Sequence, residues 1–328
     1  KTRLPASGSY FSSTDILDEG GERLLVGGGA AFFRADDLDA RDSGQGGVQL
    51  KVRPGLGLDL GFYAIRYHDK TPQVYVRPGV DAATGNVINP AVVDFTVGKV
   101  GEYFLVYPED VQAYGVSAST TFGSWNWAAE VSMRRNTPLV SIAEPILPAN
   151  SIFPGFPGVN PNADNDNNPA YAVGRSVHAQ VSWLATFGPS FISKEASFLG
   201  EVAGNRRTSI TKNEAALDPN TEKTAWGFRM IYEPTYRQVF SGLDLSVPLG
   251  FSYFPQGKSS VVGVFGPDKG GDMSIGLSAA YLDAWRFGLS YTHFYGPEEG
   301  FLDANSNQSM KQSLADRDFV SFSVRRTF

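Results

Sequence analysis

The sequence predicts an all-β chain, an antiparallel transmembrane β-barrel of the outer-membrane type with eleven or twelve strands in this chain. Three observations lead to this fold class. Apolar residues recur at every second position over long stretches. These stretches run 11 to 17 residues, which suits strands that cross a bilayer at a tilt better than the shorter strands of soluble proteins. The connecting segments alternate between short and long, as periplasmic turns and extracellular loops do.

Composition excludes several classes of protein. The 328 residues carry 28 Lys and Arg against 34 Asp and Glu, a net charge of −6 that disfavours a nucleic-acid partner. There are no cysteines and only three histidines, so disulfides, thiol nucleophiles and a His-rich metal centre are not expected. The sequence therefore predicts no cofactor. It also contains no run of 18 apolar residues that could form a membrane-spanning helix.

Alternation is clearest in the segments 124–135, 171–187, 242–254 and 285–296. A long-stranded soluble sandwich would alternate in the same way and is the alternative fold. Aromatic residues distinguish the two, because they lie near strand ends on the apolar face, as membrane girdles do. They are Phe122, Trp125, Tyr171, Phe187, Tyr253, Tyr281 and Tyr295.

The barrel is expected to span residues 41–328, and residues 1–40 are expected to form an extracellular loop or a plug-like segment. The predicted strands are 41–53, 57–69, 111–122, 124–135, 171–187, 195–208, 222–235, 242–254, 272–282, 285–296 and 317–328. The predicted long loops are 70–110, 136–170, 209–221, 255–271 and 297–316.

Strand parity leads to a further expectation. If the last strand runs inward, strand 41–53 also runs inward, and residues 1–40 then lie outside the cell. Bacterial barrels have an even number of strands. We therefore expect strand 41–53 to pair with a segment that this chain does not contain, as part of a larger barrel, or with a second chain. Within 1–40 the only strand candidate is Glu22–Arg34, which is Gly-rich and alternates poorly.

The inward-facing side chains are the candidates for a lumen or a constriction. They carry both signs of charge, so two readings stay open: an ion-pair network that fills a closed lumen, or a constriction that orients a solute. Inward apolar residues such as Leu184 and Leu199 favour a partly apolar path. The candidates are Lys51, Arg53, Asp59, Tyr63, Tyr67, Glu130, Arg134, His178, Gln180, Glu201, Arg229, Glu233, Asp244, Arg286, Phe294 and Arg325.

Loop 136–170 contains many apolar residues and is expected to pack on other parts of the protein. Its oxygen-rich run includes Asp164 and Asp166, a weak candidate for calcium beside the simpler reading of a solvated loop. Catalysis is not expected. Tyr291-Thr292-His293 superficially resembles the strand of outer-membrane phospholipases, but Tyr295 occupies the position that the nucleophilic serine would need.

The chain end resembles the signal that the outer-membrane assembly machinery reads, through Phe322, Val324 and the terminal Phe328. Arg326 departs from that signal at a position where an aromatic residue is usual. More specific segments are Gly8-Ser9-Tyr10-Phe11, Ala40-Arg41-Asp42-Ser43-Gly44-Gln45, Tyr107-Pro108-Glu109-Asp110 followed by Tyr114-Gly115, and Arg135-Asn136-Thr137-Pro138. Together they resemble the proteobacterial family called domain of unknown function 1302, and specifically its C-terminal part.

The resemblance implies an outer-membrane β-barrel in a Gram-negative bacterium, with the lipid bilayer and the assembly machinery as partners. It also implies a periplasmic carrier and an inner-membrane transporter of the resistance-nodulation-division type as partners. The expected function is a channel or conduit for hydrophobic or amphipathic organic solutes, coupled to envelope efflux or lipid trafficking. The alternative is a non-conducting structural or partner-binding barrel.

Overall fold

The computed structural model describes residues 16–55, 57–81, 84–145, 160 and 162–327. Three short 3₁₀ helices, Pro90–Val92, Phe95–Val97 and Glu214–Ala216, are the helices of these residues, and none of them is long and apolar enough to cross a membrane. The described strands, in chain order, are β1 (Leu17–Asp18), β2 (Arg23–Gly27), β3 (Ala30–Arg34), β4 (Gly46–Gly55), β5 (Leu58–Tyr67), β6 (Gln73–Pro78), β7 (Lys99–Val106), β8 (Val111–Phe122), β9 (Trp125–Pro138), β10 (Glu144–Pro145), β11 (Val173–Phe187), β12 (Glu195–Lys212), β13 (Thr224–Phe240), β14 (Leu243–Ser246), β15 (Leu249–Gln256), β16 (Gly271–Tyr281), β17 (Trp285–Tyr295) and β18 (Phe319–Arg326).

Twelve of these strands form one large antiparallel sheet, in the order β18-β17-β16-β14-β13-β12-β11-β9-β8-β5-β4, with β15 pairing β13 and β16 beside β14. An all-β fold with long antiparallel strands is thus confirmed. Each neighbouring pair is joined by a short turn at one end of the sheet, here called the turn end, or by a long segment at the other, the loop end.

One predicted strand is interrupted. The segment 242–254 forms β14 and β15, because Pro248 between them has no N–H to donate to a ladder. Val247 N instead donates to Pro234 O at 3.1 Å, and Pro248 O accepts from Gly276 N at 2.9 Å. The strand therefore stays in the sheet across a local irregularity.

The pairing register gives the large sheet one apolar face and one polar face. Cross-strand partners such as Leu50 and Phe62, or Leu277 and Leu289, fall on the same side. The side chains of this apolar face are exposed: Val48 by 74%, Ile275 by 54% and Phe322 by 70%.

A second sheet lies at the loop end and has the order β1-β2-β3-β7-β6-β10. Its strands come from segments that the alternation pattern assigns to residues 1–40 and to two long loops. The pairs β3–β7 and β6–β10 are parallel, and the other pairs are antiparallel. The Gly27-Gly28-Gly29 run forms the β2–β3 turn, where all three residues have positive φ.

The second sheet has its own core, which joins it to the large sheet. Tyr75 of β6 and Phe104 of β7 are fully buried and pack edge-on with ring centroids 5.7 Å apart. They pack with Tyr171 and with Val173, the first residue of β11. The Tyr75 hydroxyl also donates to Asp164 O at 2.9 Å. The described end of segment 136–170 thus packs against the second sheet.

The two outermost strands of the large sheet have one neighbour each among the described residues. Strand β4 pairs with β5, and β18 pairs with β17. Backbone groups on the outer sides of Gly46–Gly55 and Phe319–Arg326 therefore have no sheet partner in the described part of the chain.

Candidate functional site

The polar face of the large sheet holds the candidate lumen residues. Cross-strand pairs place Glu201 opposite Arg229, and Glu130 opposite Gln180. By the same register the following residues share this face: Lys51, Tyr63, Tyr67, Arg134, His178, Glu233, Asp244, Arg286, Phe294 and Arg325.

A charged row crosses the middle of this face. It runs through Asp59, Glu201 and Arg229, which occupy connected register positions from β5 to β13, and reaches Asp272 of β16 through Ser252. The Arg229 guanidinium donates to Asp272 Oδ2 at 2.9 Å, and Ser252 Oγ donates to Asp272 Oδ1 at 2.6 Å. Arg229 therefore holds a fixed position, whereas Glu201 opposite it is in none of the described ion pairs.

An aliphatic row lies one step nearer the turn end. Leu184 pairs with Leu199, and Leu199 pairs with Ile231 on the next strand. All three side chains are exposed on the otherwise polar face. The two rows place carboxylates and a guanidinium beside a strip of apolar surface.

The aliphatic row and all of the charged row except Asp272 line a cavity of about 660 Å³. Its walls come from six consecutive strands of the sheet, from β5 to β13. The lining includes Asp59, Ser119, Asn126, Ser182, Leu184, Leu199, Glu201, Arg229 and Ile231.

Other candidate residues lie on the polar face outside this cavity, and several have local partners. Arg53 Nε donates to Asp59 Oδ1 at 2.5 Å, and Tyr63 Oη lies 3.1 Å from Ser117 Oγ. His178 Nε2 lies 3.0 Å from Ser176 Oγ. Asp244 accepts from Arg237 Nη1 at 2.8 Å, and the ring centroid of Phe294 lies 6.3 Å from that of Phe319.

A cluster of ion pairs lies at the loop end, where the segments that connect β3 to β4 and β7 to β8 meet strand β5 of the large sheet. The Arg41 guanidinium binds the carboxylates of Glu109 and Asp110, the latter at 2.5 Å, and reaches Asp166 at 3.4 Å. Arg66 of β5 binds Asp110 through two N–H groups at 2.9 and 2.5 Å. The hydrogen bonds from the two guanidinium groups lower the pKa of the Asp110 carboxyl below its ordinary value.

His68 completes this cluster through both ring nitrogens. Asp110 N donates to Nδ1 at 3.1 Å, so the proton resides on Nε2, which donates to Ser43 O at 2.8 Å. Asn136 Nδ2 donates to the backbone oxygens of Glu109 and Asp110 at 3.2 and 3.3 Å. The segments around Arg41, Glu109 and Asn136, distant in sequence, therefore meet at one place.

His68, Glu109 and Asp110 have ligand atoms within 4.8 Å of one another, the spacing that a metal centre would need. The arrangement does not suit a cation. Both nitrogens of His68 are engaged in hydrogen bonds, and both carboxylates are bound by Arg41. This site therefore serves as an ion-pair junction.

The weak calcium candidates have similar engagements. Asp164 Oδ1 accepts from the backbone N–H groups of Asp166 and Asn168 at 2.9 and 2.8 Å. Asp166 Oδ2 faces Arg41. These contacts offer N–H donors where a calcium site requires further oxygen ligands.

Two loops meet in a second polar network at the same end. Asp218 is almost fully buried, and its carboxylate accepts from Gln308 N and Asn220 N, each at 2.9 Å. Asn220 Nδ2 donates to Asp303 Oδ2 at 2.7 Å. Burial raises the pKa of Asp218, whereas the hydrogen bond from Asn220 lowers that of Asp303.

The assembly-signal residues fall at the sheet edge. Phe322 and Val324 belong to β18 and lie on the apolar face opposite Leu289 and Phe287. Phe328 lies outside the described residues.

A family model described as "Protein of unknown function (DUF1302)" matches residues 1–328, the whole chain. The chain belongs to this family. The resemblance predicted from the sequence segments is thus confirmed. No curated protein matches the chain in sequence.

Three of the four segments that carry the resemblance to DUF1302 converge on the ion-pair cluster. Arg41 and Ser43, Glu109 and Asp110, and Asn136 all contribute to it. In the sequence these segments indicate the family but not a role, since the contacts of the cluster join residues up to 125 positions apart. The fourth segment, Gly8–Phe11, lies outside the described residues.

Proposed function

We propose that the large sheet belongs to a transmembrane β-barrel of the outer-membrane type, with the apolar face toward lipid and the polar face toward the interior. The exposed apolar side chains from β4 to β18 support this proposal. Aromatic groups near both ends of that face also support it. At the turn end the ring centroid of Trp127 lies 5.4 Å from that of Trp125 and 5.6 Å from that of Trp183. At the loop end the rings of Tyr295 and Phe251 stack with their centroids 6.0 Å apart.

Within this barrel we propose a conduit for amphipathic or hydrophobic organic solutes across the outer membrane of a Gram-negative bacterium. The observation that carries the proposal is the cavity where the aliphatic row of Leu184, Leu199 and Ile231 adjoins the charged row. A path for small hydrophilic ions has no use for exposed leucines. An amphipathic solute would place its apolar part on the aliphatic row and its polar part beside Glu201 and Arg229.

Coupling to an envelope efflux or lipid-trafficking system follows from the solute class. A molecule with a substantial apolar part crosses the aqueous periplasm poorly. We therefore propose that a periplasmic carrier and an inner-membrane transporter deliver or receive the solute at the turn end, and that the assembly machinery inserts the barrel.

A non-conducting, partner-binding barrel is the second candidate function. The second sheet favours it, because it lies at the loop end and is held there by the ion-pair cluster and the core around Tyr75. In this reading the second sheet presents a binding surface to the outside, and the polar face serves only to fill the interior.

Solute flux through the full-length protein in proteoliposomes separates the two functions. The test variant is Leu199→Asn, which introduces polarity into the aliphatic row. The matched control is Ile65→Asn, an exposed aliphatic residue on the same face outside the cavity. We expect L199N to slow the entry of an amphipathic aromatic acid several-fold while I65N has little effect.

Planar-bilayer conductance provides the second measurement. The conduit predicts a measurable ion current that L199N preserves or increases, since the substitution keeps the cavity open. Absence of both current and solute flux in the wild type would refute the conduit and favour the partner-binding barrel.

A further inference from the structure

Two arginines face each other at the loop end of the apolar face. Arg135 of β9 and Arg175 of β11 are direct cross-strand partners, two positions beyond the apolar pair Met133 and Val177. Like charges placed opposite one another destabilise a sheet unless an anion lies between them. Both side chains are exposed, and neither is in any ion pair among the described residues.

A third arginine lies beside this pair. Arg206 of β12 is opposite Val177, so it is diagonal to Arg175 on the same face. Its guanidinium donates to Thr224 Oγ1 at 3.0 Å, which leaves further N–H groups for another acceptor. Arg66, which extends the same row, differs because Asp110 already neutralises it.

An apolar groove of about 670 Å³ runs directly below the arginines. Tyr114 connects the two features, since it lines the groove and its ring lies 5.9 Å from the Arg135 guanidinium carbon. The other residues of the apolar face that line the groove are Val48, Leu50, Phe62, Ala64, Val116, Val131, Met133 and Val177.

We propose that Arg135, Arg175 and Arg206 bind the phosphate of an anionic lipid whose acyl chain occupies this groove. The inference rests on the proposed membrane-spanning barrel and assigns it a lipid site in the outer leaflet, on the side of the long loops. Charge complementarity identifies the headgroup, because paired guanidinium groups suit the oxygens of a phosphate. The apolar groove indicates that the ligand also carries an acyl chain, because a free phosphate would leave the groove unfilled.

Native mass spectrometry of the full-length protein, released from phosphatidylcholine nanodiscs doped with phosphatidic acid, tests the proposal. We expect the wild type to retain phosphatidic acid in preference to phosphatidylcholine. The variant R135Q/R175Q is expected to retain it about 30-fold less tightly, the loss expected for two cations near a membrane surface.

The matched control is R286Q/R325Q. These arginines are also exposed cross-strand partners, but on the polar face near the turn end. This control is expected to retain lipid as the wild type does. Equal retention in the wild type and R135Q/R175Q, or equal loss in the control pair, would overturn the lipid site while leaving the barrel proposal intact.

Two further results distinguish a failure of the lipid assignment from a failure of the proposed barrel. Displacement of phosphatidic acid by excess inorganic phosphate, with no dependence on the acyl chain, would show a free-anion site and overturn the lipid assignment. Failure of the wild type to enter nanodiscs would instead refute the proposed function on which the inference rests.

Discussion

Replacing Asp110 with Asn is expected to loosen the second sheet without unfolding the large one. The Asp110 carboxylate accepts three hydrogen bonds from two guanidinium groups, Arg66 at 2.9 and 2.5 Å and Arg41 at 2.5 Å. Asparagine keeps the size of the side chain and tolerates the positive φ of 61° at this position. The substitution therefore removes the charge while leaving the backbone conformation unstrained.

The size of the expected free-energy loss depends on how exposed Asp110 and its two arginine partners are. A hydrogen bond to a charged group contributes about 1.5–3 kcal/mol when it is buried. Asp110 is only 15% exposed, but Arg41 and Arg66 are 37% and 49% exposed, so water compensates much of the loss. Since Asn keeps one oxygen acceptor, we expect a net cost of about 2 kcal/mol, or about a 30-fold rise in local opening.

Hydrogen exchange resolved by segment is the suitable assay. The amides of β6 and β7 are expected to lose about 30-fold in protection in D110N, while those of β12 and β13 keep theirs. The neighbouring Asp42→Asn is the matched control, because Asp42 is exposed and takes part in none of the ion pairs of the described residues. Unchanged protection in β6 and β7 of D110N would refute the view that the cluster holds the sheets together.

Three further outcomes are expected. Acidification should open the second sheet of the wild type, because the pKa of Asp110 is lowered in the fold. The stabilisation by the Asp110 carboxylate is complete above about pH 4, the unfolded-state pKa, and is lost as the pH falls through the folded-state pKa. Segment-resolved hydrogen exchange would record this loss. The pKa of Asp218 is raised in the fold, so ionisation of this carboxyl opposes folding. The thermal stability of Asp218→Asn relative to the wild type should therefore rise with pH above about 4 and level off above the folded-state pKa. A stability difference that does not change with pH would contradict this. Gly266→Ala should destabilise the protein by about 1–3 kcal/mol in thermal melts, because the new Cβ would lie 2.3 Å from the Phe254 ring, while Gly263→Ala, with open space around it, should have no such effect.

Sequence periodicity was sufficient to predict the large sheet because that sheet has two chemically different faces. In each strand every second side chain is apolar, so local pairs such as Trp125 and Trp127, or Phe287 and Leu289, indicate the strand. The interruption at Pro248 had a signal as well, since proline cannot donate to a ladder.

The second sheet could not be predicted in this way. Strand β3 has the sequence Ala30-Ala31-Phe32-Phe33-Arg34, an apolar run without a period, and its parallel partner β7 lies about 70 residues further along the chain. No local pattern indicates a pairing over that separation. The ion-pair cluster could not be predicted for the same reason, although Arg41, Glu109, Asp110 and Asn136 lie in family segments.

The same geometry constrains the order in which the protein assembles. The second sheet combines residues 17–34, 73–106 and 144–145. Its parallel pair β3–β7 forms only after the chain has returned once to the loop end, and β6–β10 only after a second return. Contacts of such long sequence separation close late, because the entropy of ordering the intervening chain must be overcome first. The intervening chain is ordered when strands β4, β5, β8 and β9 pair. In the barrel proposed above, the loop end would then cross the membrane as unstructured polypeptide and become compact on the far side, so that the finished second sheet would not be translocated.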